Sequence, residues 1–575
     1  MSDAVLPSPP SPTSERVPRS IHPPPDPSGQ SAAGAWSRFT RPFREPNAIW
    51  MREMRQSARL ARTPWILFSL VLALTLLLST IGGIAASSTT SPADLGGALF
   101  QTFFAMAYFV VVLVGPAVAA NGIAAEREGR TWEAVLLTGM APKEIARGKF
   151  LAAYTTVALY LVALAPVGAL SFLFGGVTAG EVVIAFALLF LLAALAVAFG
   201  LAVSSLMSNL RGAIVVTLML AVGVGPSLFS IGGFAGSFAA HKAWHDIPEG
   251  LPIWLPMAYE RASFGLDYVV LLIVFPLLLV AIPAWFLYES TVANLTGEAD
   301  DRSSGLKRWF AWCSPVLAIA LAAPSLLAAD PDAKTGLCVA GLLLYATYIV
   351  LCALLFTSEP PGPSRRMLVR WDRARVGTVK RFFGPGLART MTLIVLMCVL
   401  GIAIIGGLDG VASATVAARH SDEIAVVAAY VSPFCVFAIG LVAFLRARSS
   451  SAWIARIVAS GILFLLGVLP WVAAAVTGLL SDSSPKAWTA IAAPSPFFLI
   501  PMLDELTSYA HAAPMIVPTG LTFAYGWGFL GLVMLGVAKR RSDRILRERN
   551  AILRKADLAL GAEARVVAPV ADAGP

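Results

Sequence analysis

AAEREGRTWEAVLLTGMAPKEIARGKF, residues 124–150, stands between two apolar runs at about 97–120 and 150–175. It holds Glu126, Arg127, Glu128, Arg130, Glu133, Lys143, Glu144, Arg147 and Lys149, in a chain of 575 residues that is 57% hydrophobic and only 13% charged. The mean hydropathy is +0.75. A water-soluble protein of this size could not solvate such a surface. Each flanking run exceeds the ~20 apolar residues needed to cross a hydrocarbon core of ~30 Å. The charged stretch therefore reads as a connection between two membrane spans, and the same alternation of long apolar run and charged connection recurs along the chain.

Lipid cannot satisfy open backbone groups, so the spans are expected to be helices. Strands of a membrane barrel would alternate polar and apolar residues, and these runs do not. The fold class is all-α, a polytopic membrane protein of about twelve spans. The first six are placed at about 65–84, 97–120, 150–175, 181–206, 212–235 and 266–290, and the second six at about 309–328, 336–357, 389–408, 424–445, 457–479 and 520–538.

Charge tests that count. With the N-terminus in the cytoplasm, the inside connections carry Arg127, Arg130, Lys143, Arg147 and Lys149, then Arg211, then Arg302, Lys307 and Arg308. Further on they carry Arg365, Arg366, Arg370, Arg373, Arg375, Lys380 and Arg381, then Arg446, Arg448 and Arg456, then the tail from Lys539. The outside connections hold only Lys242, Arg261, Lys334, Arg419 and Lys486. This asymmetry follows the positive-inside rule, and losing one span would invert everything after it. Both termini are expected in the cytoplasm, and the protein in the plasma (bacterial inner) membrane. The net charge of +9 is thus an orientation signal, and nucleic acid is not an expected partner.

Residues 1–45 are rich in Pro and Ser (PSPPSPTSERVPRSIHPPPDPSG) and are expected to be a disordered cytoplasmic tail. Residues 46–63 follow as an amphipathic helix capped by Asn47. Arg52, Arg55, Arg59 and Arg62 share one face, and Ile49, Trp50, Met54 and Ala61 lie largely on the other. Such a helix suits the headgroup layer, with Trp50 and the arginines at the membrane interface. The C-terminal stretch 539–575, opening KRRSDRILRERNAILRKADLAL, reads as a basic helix leaving the membrane, with anionic lipid, a partner or plain solvent equally open to it.

The spans fall into two sets of six, 64–290 and 291–538, and the longest outside connection precedes the sixth span of each. The first contains PMAYERASF (256–264) and the second PMLDELTSY (501–509), alike at Pro-Met, at the fifth-position Glu, at the eighth-position Ser and in the final aromatic. The pattern suggests duplication, with a divergent second unit. Its connection 358–388 occupies the place of 121–149 but is basic, broken by Pro and Gly, and has no counterpart of the Glu126–Glu133 acids.

Chemistry-bearing motifs are scarce. Most spans have no ionisable residue near mid-membrane, which argues against a proton relay or selective ion pore and suits a bulky, lipidic or apolar cargo. There is no phosphate-cradling Gly-rich loop, nucleophile elbow or H-E-x-x-H, so no catalytic or metal-binding residue is expected and the chain is not itself an enzyme. Cys313, Cys338, Cys352, Cys398 and Cys435 fall in or beside apolar runs and read as small buried hydrophobes. His241 and His245 are four apart with no third ligand evident, an incidental pair.

The connection 124–150 is long enough for two short helices broken at Gly139-Met140-Ala141-Pro142. Pro142 near the start of the second, Glu144 in its first turn, and Arg147 and Lys149 later obey helix-start and dipole preferences. Trp132, Val135 and Leu136 give the first helix an apolar side. A charged, partly apolar knob at the membrane surface suits docking into a partner's groove.

The stretch resembles the signature connection of ABC transporter type-2 permeases, which has the form E-R-E-x-G-T-L-E-x-L-L-x-T-P-x-S-x-x-E-I-x-x-G-K. The matching positions are Glu126, Arg127, Glu128, Gly129, Thr131, Glu133, Leu136, Leu137, Thr138, Glu144, Ile145, Gly148 and Lys149. Arg130 separates Gly129 from Thr131, which adjoin in the family pattern. The helix WMREMRQSARLARTP also resembles that family's helix before its first span. The resemblance covers about 45–290 and implies a coupling helix, 121–149, seated in a separate cytoplasmic ABC ATPase subunit. Glu126, Arg127, Glu128, Gly129, Thr131, Glu133, Pro142, Glu144 and Gly148 would make the coupling site, with Glu126, Glu128 and Glu133 in ATPase contact. ATP-Mg would bind the ATPase, and no cofactor this chain. The implied function is an ATP-driven transporter, of exporter kind, whose partners are that ATPase and membrane lipid; whether a second permease chain joins is open. Gly122, Glu126, Arg127, Gly129 and Arg130 also resemble the short loop between the second and third spans of major facilitator transporters, but that match ends at Arg130. A facilitator-type carrier and a non-transporting scaffold are the alternatives.

Overall fold

The computed structural model describes residues 47–59, 62–88, 91–297, 299–328, 330–413, 418–480, 490–507 and 516–567. Among them every regular element is a helix. Twelve are long and apolar enough to cross a membrane, one for each span expected from the sequence: Pro64–Ile84, Pro92–Glu128, Pro142–Leu173, Ala179–Leu206, Leu210–Lys242, Tyr268–Leu295, Ser304–Leu327, Ala333–Ser358, Leu387–Leu408, Glu423–Arg448, Ala452–Leu480 and Ile516–Ala556. The protein is an all-α polytopic membrane protein. The Pro/Ser-rich tail, Ala61, Lys486, Ser508 and Tyr509 lie outside the described residues, as do the Arg62 and Arg419 side chains.

Local sequence starts several of these helices. Ser91 accepts from the Asp94 amide and is followed by Pro92. Thr178 and Glu181 form a reciprocal capping box, and Asn209 accepts from the Gly212 amide. Each satisfies an amide that the helix itself leaves unpaired.

Cross-connections test the alternation of the spans. We call the face where the first span begins the near face and the opposite one the far face. Arg127, ending the second span, donates to the carbonyls of Ser205 and Met207, ending the fourth, at 2.8 and 3.2 Å. Arg456, opening the eleventh, donates to the Leu354 carbonyl, ending the eighth, at 3.0 Å. On the far face, Gln101 of the second span exchanges two 3.0 Å hydrogen bonds with the backbone of Ile253, before the sixth. The ends meet as an even, alternating count requires.

Among the described residues two large hydrophobic cores are present, one built from 49–295 and one from 309–538, beside two small clusters in the first unit. The two large cores are joined at the sixth and seventh spans, where the Trp309 indole donates to the Ile282 carbonyl at 2.9 Å and its ring lies 4.8 Å from that of Phe286, tilted by 48°. Packing repeats between them. Spans 1–2, 2–3, 2–4, 3–4, 4–5 and 4–6 are neighbours in the first unit, and 7–8, 8–9, 8–10, 9–10, 10–11 and 10–12 in the second. The two similar nonapeptides begin on short far-face helices, Leu255–Arg261 and Leu499–Thr507, with Met257 and Met502 both buried. The units differ in regularity: the fifth span carries a π-helical segment at Phe229–Ala235 and the sixth opens with one at Tyr268–Val274. The last helix runs unbroken from Ile516 to Val567.

The buried charges Lys149, Glu181, Glu289, Lys307, Glu359 and Glu423 lie near span ends. Many large apolar side chains face outward, among them Trp65, Phe68, Met219 and Phe464, as a lipid-bathed surface demands. All five cysteines are buried and unlinked. The His241 and His245 rings lie 5.8 Å apart, and among the described residues no group of three or more metal-ligating side chains exists.

Candidate functional site: the near-face connection 124–150

The connection is not one coupling helix over 121–149. The second span runs on to Glu128, so Glu126, Arg127 and Glu128 are its last turn. A six-residue helix, Trp132–Leu137, follows, and the third span begins at Pro142. The two-helix expectation thus keeps its break but loses its second helix, which is the start of a span. Gly139 has φ +73°, the left-handed conformation that Gly adopts without a Cβ penalty. A second break, not anticipated, lies at Gly129–Thr131. Residues 126–149 are as many as the family pattern holds, so Arg130 stands where the pattern has its Gly, and it has φ +56°.

The leading helix, Ala48–Arg59, begins where expected: Asn47 Oδ1 accepts from the amides of Ile49 and Trp50 at 2.9 and 3.3 Å. Its apolar side turns to protein. Ile49 is buried, the Trp50 indole donates to Thr155 of the third span at 3.2 Å, and Asn47 Nδ2 donates to the Glu144 carbonyl at 2.8 Å. Gly148 makes that approach possible, because a Cβ there would clash with Asn47 and come within 2.8 Å of Ile49 Cβ. Gly148 is a packing residue for this helix.

Beneath that contact lies a four-charge cluster. Lys149, 2% exposed at its side chain, has Nζ 2.7 Å from Glu126 Oε1 and 2.9 Å from Glu53 Oε1. Arg52 pairs with the same Glu126 oxygen and lies 2.9 Å from Glu53. Desolvation pushes the Glu53 carboxyl up, but Lys149 and Arg52 outweigh it and hold it below its ordinary value. Burial likewise lowers Arg52, and Glu53 and Glu126 more than restore it. The second oxygen of Glu126 is buried with no hydrogen-bond partner among the described residues. Arg52, expected at the headgroups, thus spends its guanidinium on carboxylates, while Arg55 and Arg59 are exposed.

The other motif residues divide between brace and exposed tip. Arg127 ties the second span to the fourth and lies 5.8 Å from the Trp132 ring. Glu128 accepts from the Leu210 amide at 2.7 Å, fixing the start of the fifth span. Thr131 donates to the Glu126 carbonyl at 3.3 Å and Gly129 caps the second span. Pro142 opens the third span, with Glu144 exposed in its first turn. Lys143 lies 3.9 Å from buried Glu289, and Tyr288 donates to the Lys143 carbonyl at 3.2 Å, linking the connection to the sixth span. Val135 is buried, whereas Glu133 is exposed, Leu136 is 45% and Leu137 87% exposed.

Sequence reasoning missed Glu53, Glu289 and Glu359. Glu359 directly follows the eighth span, as Glu126 lies in the last turn of the second. Its partner, Lys307 of the seventh span, lies 3.4 Å away, and both are almost fully buried. Single acids far apart in sequence gave no pattern to detect.

Fold and site together define a multi-pass helical membrane protein with a braced, charged connection between its second and third spans. More particularly, residues 83–258 match the family model described as ABC-2 family transporter protein, which supports an ABC-2 type permease. The matched range includes the whole connection and ends within the short far-face helix. No curated protein matches the chain.

Proposed function

We propose that this chain is the membrane subunit of an ATP-driven exporter and that the short helix Trp132–Leu137 seats in a separate ATPase subunit. The observation that carries the reading is the contrast within the connection: an exposed tip, Glu133, Leu136 and Leu137, stands on flanks fastened to the fourth, fifth and sixth spans and to the leading helix. A displacement of the tip would reach four elements at once. ATP-driven closure of the ATPase would shift the bundle only if the tip's contacts differed between the two states, since an equal contact in both shifts nothing. The family match favours the permease role over a secondary carrier. The scarcity of ionisable residues near mid-span suits a bulky, apolar cargo, and the positive-inside pattern supports a near face and both termini on the cytoplasmic side of a bacterial inner membrane.

The test is co-purification from native membranes in mild detergent, with ATP hydrolysis assayed on the product. Leu137→Asp and Glu133→Lys are the informative variants, because Glu128→Lys would also remove the brace on Leu210. A P-loop ATPase retained by the wild type and lost or uncoupled in both variants supports the reading. Transport that persists without ATP and collapses with an ion gradient would refute it.

A further inference from the structure

We propose that the connection 358–388 and the stem of the last helix form a second, basic docking surface for the ATPase subunit, one that receives an acidic protein face. This rests on the ATPase reading above and extends it to a part of the chain without the family signature.

Charge bookkeeping motivates it. Residues 358–388 hold seven Lys/Arg against two Asp/Glu, and residues 539–567 nine against four, a net +5 each. Together they exceed the net +9 of the whole chain, so all of its positive excess sits in two segments on one face.

The structure brings these segments together and stiffens both. Lys307 donates to the Gly384 carbonyl at 2.7 Å, and Glu359 accepts from the Gly386 amide at 3.0 Å, so the buried ion pair pins the connection at its far end. On the helix Arg365–Arg373, Met367 and Trp371 are buried. Arg366 and Arg370 share the single carboxylate of Asp300, at 3.8 and 3.1 Å, and stay 66% and 57% exposed. The last helix leans on the same connection: Ser542 donates to the Pro361 carbonyl at 3.0 Å and Arg549 to that of Pro363 at 2.7 Å. Leu546 packs against Gly362.

Geometry selects the occupant. No Gly or Pro falls between Val537 and Leu560, the helix runs unbroken to Val567, and its 29 residues beyond Ala538 extend about 43 Å. Arg554 and Lys555 lie about 24 Å along the axis from Ala538, well past a Debye length of about 8 Å. Measured along the helix axis, that separation weakens the pull of the protein's own bilayer. Ile552 and Leu558 on the stem and Val379 on the connection are exposed among the cations. Apolar side chains give nothing to a phosphate backbone but suit the core of a protein interface. The first unit's tip offers Glu133 and leucines on the same face, so the two surfaces would hold the ATPase with opposite polarity.

The experiment is site-specific photo-crosslinking in the full-length chain reconstituted with the ATPase, with the probe at Leu137, Val379 or Ile552. Binding is measured against salt for Arg366→Glu/Arg370→Glu and, as a variant confined to the exposed stem, Arg547→Glu/Arg554→Glu. The expected result is ATPase adducts at all three probes and at least a tenfold loss of affinity in each variant, steepest at low salt. Adducts at Leu137 alone, with both variants binding normally, overturn the second surface and leave the first intact. Phospholipid or nucleic-acid adducts at Ile552 overturn the assignment of the occupant. ATPase adducts nowhere overturn both readings.

Discussion

Glu126 and Lys149 should behave as one unit. Glu126→Gln removes the carboxylate 2.7 Å from an ammonium that is 2% exposed, leaving Lys149 with Glu53 alone at 2.9 Å. Breaking a buried pair from one side costs ~3–5 kcal/mol, and the surviving Glu53 contact puts this variant near ~3 kcal/mol. Lys149→Met leaves Glu53 and Glu126 sharing only Arg52, whose side chain is 43% exposed; solvent-screened pairs contribute ~1 kcal/mol or less, so the loss should be at least as large. The double variant keeps the Arg52–Glu53 pair and buries no lone charge. Its cost should fall short of the sum by ~1–3 kcal/mol, as for residues in direct contact. Reversible unfolding of the detergent-solubilised chain, followed by tryptophan fluorescence, measures all four states. Additive costs, or singles within ~0.5 kcal/mol of wild type, would refute the cluster as the clamp between leading helix and spans.

Gly148→Ala should detach the leading helix at a cost of ~1–3 kcal/mol, as overpacking does, and raise protease cleavage within Ala48–Arg59 while the spans stay protected. Arg130→Gly should stabilise by ~1 kcal/mol, because Gly pays no Cβ penalty at φ +56°; Arg130→Val should destabilise, read in the same unfolding assay. The Glu53 carboxyl lies below its ordinary 4.5 in the folded state. Its contribution is therefore complete above pH 4.5 and is lost as pH falls through the folded-state value. Stability should hold from neutral pH down to about 5 and drop below that, and Glu53→Gln should remove part of the drop; an unchanged acid limb in that variant would count against the Glu53 pairings.

How the sequence and the structure divide the explanation is visible residue by residue. Span length, span count and alternation were legible because lipid imposes one solution on an apolar run of ~20 residues. The break at Gly139-Pro142 and the Asn47 cap were legible because turn and cap chemistry are local. The break at Gly129–Thr131 was not, since nothing local foretells a left-handed Arg130. The roles of the motif residues were not legible either. A string of acids reads as a surface, yet Glu126 is spent on Lys149 and Arg52, and Glu128 on an amide 82 residues on, leaving Glu133 and Leu137 at the tip. Glu53, Glu289 and Glu359 acquire meaning only from partners remote in the chain. The sequence alone determined which segments lie in lipid, because hydropathy acts on each segment independently. Only the tertiary structure decided which charges are neutralised and which are offered, because pairing depends on where helix ends meet.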